Sequence, residues 1–300
     1  METVISVVKK TSMGGPIMGD RPRTADPWRG YAHRRLSEVF ERTPVVPFDH
    51  RSRIVLMSDC HRGDNSRADA FAANEVLYLQ ALDYYYHEGY TYIEVGDGDE
   101  LWKNRRFSDV QREHGKVFDQ LRRFHQQGRL HLLFGNHDIA GRKVPQVEKD
   151  GLIARESLIL RHARSGLQIL VLHGHQADFQ SDRLSAQSRF IVRNIGRKIQ
   201  LLGLNPEPLI ADSAKIEQRL RDWTQRHGQA LICGHTHKLH WPAEGAPLYF
   251  NTGSCIHPGV ITGIEIASGE IVPVRWFAER NGPTFRRELL TPPRNLLALS

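Results

Sequence analysis

Ile54-Val55-Leu56-Met57-Ser58-Asp59-Cys60-His61 decides how this chain is read. Four apolar residues, two of them β-branched, are too few for a helix and suit a buried strand. The run then stops on a carboxylate and an imidazole two positions apart. The same form recurs four times. Tyr92-Ile93-Glu94-Val95 runs into Gly96-Asp97-Gly98-Asp99-Glu100, and Leu130 to Phe134 runs into Gly135-Asn136-His137-Asp138. Ile169 to Leu172 leads to His173-Gly174-His175, and Ala230 to Ile232 leads to Gly234-His235-Thr236-His237. Five predicted strands therefore each end on an island of polar, cation-seeking residues.

Helical patterns separate these strands. Phe71 to Tyr86 forms one, and Val110, Val117, Phe118, Leu121 and Phe124 put an apolar face on the next. Asp212 or Ser213 can cap a third, carrying Ile216, Leu220 and Trp223 before Gly228 ends it. Pro247 to Phe277 reads as consecutive strands at Leu248 to Phe250, Val260 to Ile266 and Ile271 to Trp276, with Gly, Asn and Ser as turn signals. Strand–helix units followed by strands predict an α/β fold of two packed sheets flanked by helices. Residues 1–50 read as a flexible basic leader punctuated by Gly and Pro, with a short helix through Leu36, Val39 and Phe40. The expected domain spans 51–280, with a helical lid insertion at about 176–228 and a tail at 281–300. Within the insertion, Ile191, Ile195, Ile199 and Leu202 share one face of a helix from about Ser185 to Leu204, while Arg189, Arg193 and Arg197 stack on the opposite face.

The 300 residues suffice for one large domain. No apolar run approaches the roughly 20 residues needed to cross a bilayer, and the start lacks a secretory signal, so the cytoplasm is the expected location. A net charge of +7 favours anionic partners, whether phosphate compounds, nucleic acid or an acidic membrane surface. The three cysteines, Cys60, Cys233 and Cys255, argue against a disulfide framework and read as small buried residues beside strand ends, with a thiolate ligand as the minor alternative.

Strand ends hold side chains in fixed directions, so distant islands can converge on one edge. Asp59 and His61 flank Cys60, and strand alternation would turn both into the site. Asp97 offers two oxygens able to bridge cations, Asn136 an amide oxygen, and His173, His235 and His237 imidazole nitrogens. Each island alone has a plainer reading, since Gly, Asn and Asp are ordinary turn residues. All five in order are not explained that way. A mixed nitrogen and oxygen set without thiolate suits two divalent cations, Mn first, with Fe, Zn or Co as alternatives. Such a pair, about 3.5–4 Å apart, is a common device for phosphate-ester hydrolysis.

Asp-x-His, Gly-Asp, Gly-Asn-His-Asp, His-Gly-His and Gly-His-Thr-His, in this order over Arg53 to Phe277, resemble the calcineurin-like metallophosphoesterase superfamily. The resemblance implies a two-sheet sandwich flanked by helices, with metals at the strand ends. One metal would be held by Asp59, His61, Asp97 and His237, the second by Asp97, Asn136, His173 and His235. His137 would act on the phosphoryl group or its leaving oxygen, oriented by Glu100, with Asp99 behind. Asn251-Thr252-Gly253-Ser254 looks like the superfamily's closing turn. The implied reaction is hydrolysis of a phosphoester or pyrophosphate bond by a hydroxide bridging the metals.

Gly-Asp-x-x-Glu followed by Leu101-Trp102, together with the insertion before Gly-His-Thr-His, looks nearest to the UDP-2,3-diacylglucosamine pyrophosphohydrolase branch. That implies a nucleotide-linked, lipidic small molecule as substrate. Arg62, with Arg105 and Arg106, and the lid residues Arg189, Arg193 and Arg197 are the expected grips on phosphates or an acidic lipid surface. His137 departs from that branch, which carries arginine there. A metal-dependent nuclease or nucleic-acid phosphatase is the alternative; a non-enzymatic scaffold fits poorly with an intact ligand set. The oligomeric state is not written in the sequence.

Overall fold

The computed structural model describes residues 26–104, 106–139, 146–149, 151–183, 213–279 and 284–299. Two sheets form its centre. The larger runs β13-β12-β11-β2-β3-β4-β6-β5, with β14 (Arg294–Asn295) beside β12; the smaller runs β1-β7-β8-β9-β10. In the larger sheet β2 (Ile54–Met57), β3 (Thr91–Val95), β4 (Leu130–Leu133) and β6 (Leu152–Arg155) are parallel neighbours. The antiparallel β11 (Val260–Ala267), β12 (Glu270–Ala278) and β13 (Phe285–Leu289) extend it on one side, and β5 (Gln146–Lys149) closes the other. In the smaller sheet β8 (Gln168–Leu172), β9 (Ala230–Cys233) and β10 (Tyr249–Asn251) are parallel, and β7 (Ser157–His162) joins β8 to β1 (Val45–Phe48).

Alternation along each strand sorts the side chains into layers. On β2, Ile54 and Leu56 face the space between the sheets, where they meet Ile93, Val95, Leu158, Leu160, Ile169, Val171, Ile232 and Phe250. Val55 and Met57 face outward onto α2 (Glu75–His87) and α4 (Gly115–Gln126), through Leu77, Tyr78, Phe118 and Leu121. The outer face of the smaller sheet presents Leu170, Leu172, Leu231 and Cys233 to α1 (Arg29–Arg42) and α6 (Ser213–His227), which supply Ala32, Leu36, Val39, Leu220 and Trp223. The result is helix, sheet, sheet, helix. Each fully buried Leu, Ile or Phe contributes about 1.5–3 kcal/mol to it.

The two-sheet expectation and its strands match the structure. Four details differ. Within the expected leader, α1 and β1 are built into the smaller sheet, because Leu36 and Val39 need that sheet to be buried. Phe285–Leu289 of the expected tail pairs with β12. The helix expected through Val110 to Phe124 is two, α3 (Phe107–Glu113) and α4, broken at His114, which is fully buried against Asp69 with Nε2–Oδ2 of 2.8 Å. Strands β5, β6 and β7 had not been expected. The lid helix near 185–204, residues 1–25 and Asp212 lie outside the described residues; of the insertion, a short helix α5 (Phe179–Arg183) and α6 are described. All three cysteines are free and buried. No described helix is long and apolar enough to cross a membrane.

Candidate metal centre

Strands β2, β3 and β4 of one sheet and β8 and β9 of the other point their carboxyl ends at the same edge, the usual place for a ligand in parallel α/β sheets. The five islands meet there. Asp59, His61 and His237 form one group whose ligand atoms all lie within 4.8 Å of one another, and Asp97, His173 and His235 form another. His61, Asp97 and His137 make a third group, so the clusters are continuous.

Backbone conformation, not strand alternation, aims these side chains. Asp59, His61, Asp97, His235 and His237 all have positive φ, between 49° and 70°, where non-glycine residues are uncommon. Only two other described non-glycine residues, Asn65 and Ser268, share that region. Strain concentrated on five residues of one edge is the mark of a functional constraint. Two motif glycines let the loops close. A side chain at Gly135 would run into Asp97 Oδ1 and the Asp97 amide, and one at Gly234 into Ser58 and the Asp59 carboxylate.

The groups are held from behind. His173 Nδ1–H donates to Val95 O at 2.9 Å, which turns Nε2 toward the site, 3.0 Å from Asp97 Oδ2. The His235 and His137 amides donate to Asp59 Oδ2 (3.0 Å) and Asp97 Oδ1 (2.8 Å). Asp138 accepts from the Gly135 amide (2.7 Å) and the Asp99 amide (2.8 Å), tying two loops together. Asn251 Nδ2 donates to Gly234 O at 2.7 Å.

Toward the site itself, polar atoms crowd together, some with only another ligand atom as neighbour. His61 Nε2 and His237 Nε2 stand 3.1 Å apart, and His237 Nε2 lies 3.1 Å from Asp59 Oδ1. Asp59 Oδ1, Asn136 Oδ1 and His173 Nε2 are buried and make no hydrogen bond among the described residues. Leaving buried polar atoms unmet costs about 1–3 kcal/mol each, unless something else meets them. Burial opposes charge at Asp97, but His173, His137 and His61 outweigh it and hold its carboxyl far below the usual range. Burial likewise opposes charge at His173, yet Asp97 and Asp59 push it up to about 9. An edge that draws protons onto a buried imidazole is one that would welcome a cation. The donor set of carboxylate, imidazole and amide fits a divalent one.

His137 Nδ1–H donates to Glu100 Oε1 at 2.8 Å, and the indole of Trp102 stacks on its ring with centroids 4.1 Å apart. Glu100 also faces His61 Nδ1 at 3.3 Å and Lys103 Nζ at 3.5 Å. Burial resists ionisation of Glu100, but His137 and Lys103 overcome it and keep the carboxyl well below its usual range.

Arg62 is not a substrate grip. It is buried beneath the edge, with Nη1 and Nη2 donating to both oxygens of Glu94 (2.7 and 2.8 Å) and Nε to Asp99 (2.8 Å). Lys149 Nζ completes this cluster, at 2.7 Å from Asp99 Oδ2 and 2.5 Å from Asp138 Oδ1. A guanidinium so paired and 1% exposed is turned into the fold rather than toward a ligand. Arg106 is exposed. Arg105, Arg189, Arg193 and Arg197 lie outside the described residues. Sequence reading missed Glu94 and Lys149. Glu94 left a trace, as a charge inside a buried apolar strand, whereas Lys149 left none.

Nitrogen and oxygen donors from two sheets thus meet at one edge of an α/β fold, in groups able to hold metal ions. Residues 53–267 match the family described as the calcineurin-like phosphoesterase superfamily domain. The chain belongs to that superfamily and is a metal-dependent phosphoester hydrolase. No curated protein matches the sequence. Among solved structures, Vps29 complexed with zinc from Entamoeba histolytica is similar at 18% identity, covering 80% of this chain and 99% of its own, with a TM-score of 0.40. Vacuolar protein sorting 29 of Cryptosporidium parvum gives 13% identity, 80% and 98% coverage and a TM-score of 0.39. A cold-active protein-tyrosine phosphatase of a Shewanella species gives 14%, 83% of each chain and 0.38. Overlaps this loose add nothing to the family assignment.

Proposed function

We propose that the protein hydrolyses a phosphoester or pyrophosphate bond in an anionic, nucleotide-linked small molecule, using two divalent cations, manganese first among them. Asp59, His61, Asp97 and His237 would hold one, and Asp97, Asn136, His173 and His235 the other. The observation that carries this reading is the pair of ligand groups, each within 4.8 Å, one around Asp59 and one around Asp97, that contain unpartnered buried polar atoms. Bound there, the cations would acidify water and neutralise phosphoryl oxygens.

The chain's own groups do the rest. Asp97 is reached from both sides, by His61 at 3.8 Å and His173 at 3.0 Å, and so suits the bridging role. His137 has Nδ1 committed to Glu100, so Nε2 is the atom that would protonate the leaving oxygen or steady phosphoryl charge. Trp102 fixes the plane of that ring, and its indole N–H donates to Asn136 O at 2.6 Å, coupling it to the neighbouring ligand. Arg189, Arg193 and Arg197 remain proposed contacts for further phosphates or an acidic lipid surface. The test is a panel of phosphomonoesters, phosphodiesters and nucleotide-diphospho conjugates assayed with Mn2+. Mn-dependent release of a nucleoside monophosphate is expected. Turnover confined to DNA or RNA would favour the nuclease alternative, and an Asp97→Asn variant with full activity would refute the two-cation reading.

A further inference from the structure

The helix that precedes the family-matched residues touches the site through a chain of buried groups. Arg35 of α1 is 4% exposed and has its guanidinium against two carboxylates, Glu156 and Asp182. Glu156, itself 6% exposed, also pairs with Arg42 and accepts from Gln176 Nε2 at 3.5 Å. Gln176 is fully buried, and its Oε1 accepts from the Gly174 amide at 3.0 Å. That amide belongs to the turn, φ +114°, that follows His173, where an added Cβ at Gly174 would meet Cβ of His235 at 3.3 Å. The other branch runs through Asp182 of α5, which binds Tyr31 of α1 and faces His175 Nε2 at 4.0 Å. At the head of α5, Asp178 lies 3.6 Å from His235 Nε2. Trp28, just before α1, stacks on Phe179 at 3.9 Å with planes 7° apart. Arg219 of α6 donates to Ala177 O at 2.9 Å while gripping both oxygens of Asp26.

We infer that α1 is part of the catalytic unit: Arg35 is a positioning residue that, through Glu156–Gln176 and through Asp182, holds the 174–182 segment so that His173 and His235 present one half of the metal centre. This rests on the two-cation reading above. Three features favour positioning over mere adhesion. The apolar contacts of Ala32, Leu36 and Val39 already fasten α1 to the sheet, so burying two carboxylates and a guanidinium is not needed for docking. Both branches end within one residue of, or against, a candidate ligand. And α1 lies outside residues 53–267, so the shared superfamily core does not supply this support.

The experiment measures Mn2+ binding to the metal-stripped full-length protein by calorimetry, for wild type, Arg35→Met and Gln176→Met, beside thermal melts. Gln176→Met keeps the ion pairs and cuts only the link from Glu156 to Gly174, so it decides the matter if Arg35→Met does not fold. Arg287→Met, which breaks the remote Glu265 pair, controls for destabilisation alone. Expected is a loss of about 10–100-fold in affinity for one of two Mn2+ equivalents in both site-linked variants, with the Arg287→Met affinities unchanged. Wild-type affinities in Gln176→Met and in any folded Arg35→Met, whatever their melting temperatures, would overturn the inference alone. A wild type that binds no Mn2+ would overturn the two-cation reading, and the inference with it.

Discussion

Two buried polar clusters lie under the same strand ends and follow opposite rules. Around Arg62, cations and carboxylates alternate: Glu94, Arg62, Asp99, Lys149 and Asp138 each find an opposite charge at 2.5–2.8 Å. At the edge above, carboxylate oxygens, an amide oxygen and imidazole nitrogens face one another, and three of them make no hydrogen bond among the described residues. The first cluster is self-sufficient and serves folding. The second is incomplete as a protein structure and serves a ligand. Hydrogen-bond satisfaction separates them, although Arg62, Asp99 and Asp138 each stand within two residues of a candidate ligand.

The comparison can be broken from either side. The largest effect on stability should come from Glu94→Leu. It leaves Arg62 buried without its bidentate partner and should cost about 3–5 kcal/mol in denaturant unfolding, whereas a cost under about 1 kcal/mol would mean the cluster is not a structural unit. Asp97→Asn should do the reverse: activity falls by more than the roughly 10–100-fold typical of supporting groups, while the melting temperature of metal-free protein stays level or rises. His137→Ala should lower kcat by about 10²–10⁴ without changing Mn2+ stoichiometry, the separation expected of a general acid rather than a ligand. Chelation should lower wild-type stability by about 2.7 kcal/mol for each cation site relative to protein in Mn2+ at a hundred times its dissociation constant, and should lower that of Asp97→Asn by much less.

The smallest effect concerns acid. Burial opposes the charge on Asp99, but Arg62 and Lys149 bring its carboxyl down from an ordinary 3.8 to about 2. A carboxyl depressed in the folded state contributes stability that is complete above 3.8 and lost as pH falls through about 2. Urea midpoints followed down this range should fall for wild type, and more gently for Asp99→Asn once its lower starting stability is subtracted.

The sandwich was legible because Ile54–Met57, Ile169–Leu172 and their like are short apolar runs that no other element can bury. The islands were legible because metal-binding residue types stand in a fixed order at strand ends. What escaped depended on partners far away in the chain. Lys149 is one surface-type residue in a four-residue edge strand, and nothing local says that Asp99 and Asp138 await it. Arg62 follows a motif histidine and looked ready for a substrate, until Glu94 closed on it from the next strand. Residues 26–50 read as leader because α1, rich in charge, buries only a narrow stripe, and the sheet that covers it is assembled from residues more than a hundred positions on. The positive φ values had no signature in composition, since Asp and His tolerate that region only when tertiary contacts demand it.

Calorimetric titration of Mn2+ into the metal-stripped wild type and its Asp97→Asn variant tests the central claim most directly. Two equivalents bound by wild type, with at least one lost and the other weakened in Asp97→Asn, is the predicted result. No binding to wild type, or the same binding to both proteins, would contradict it.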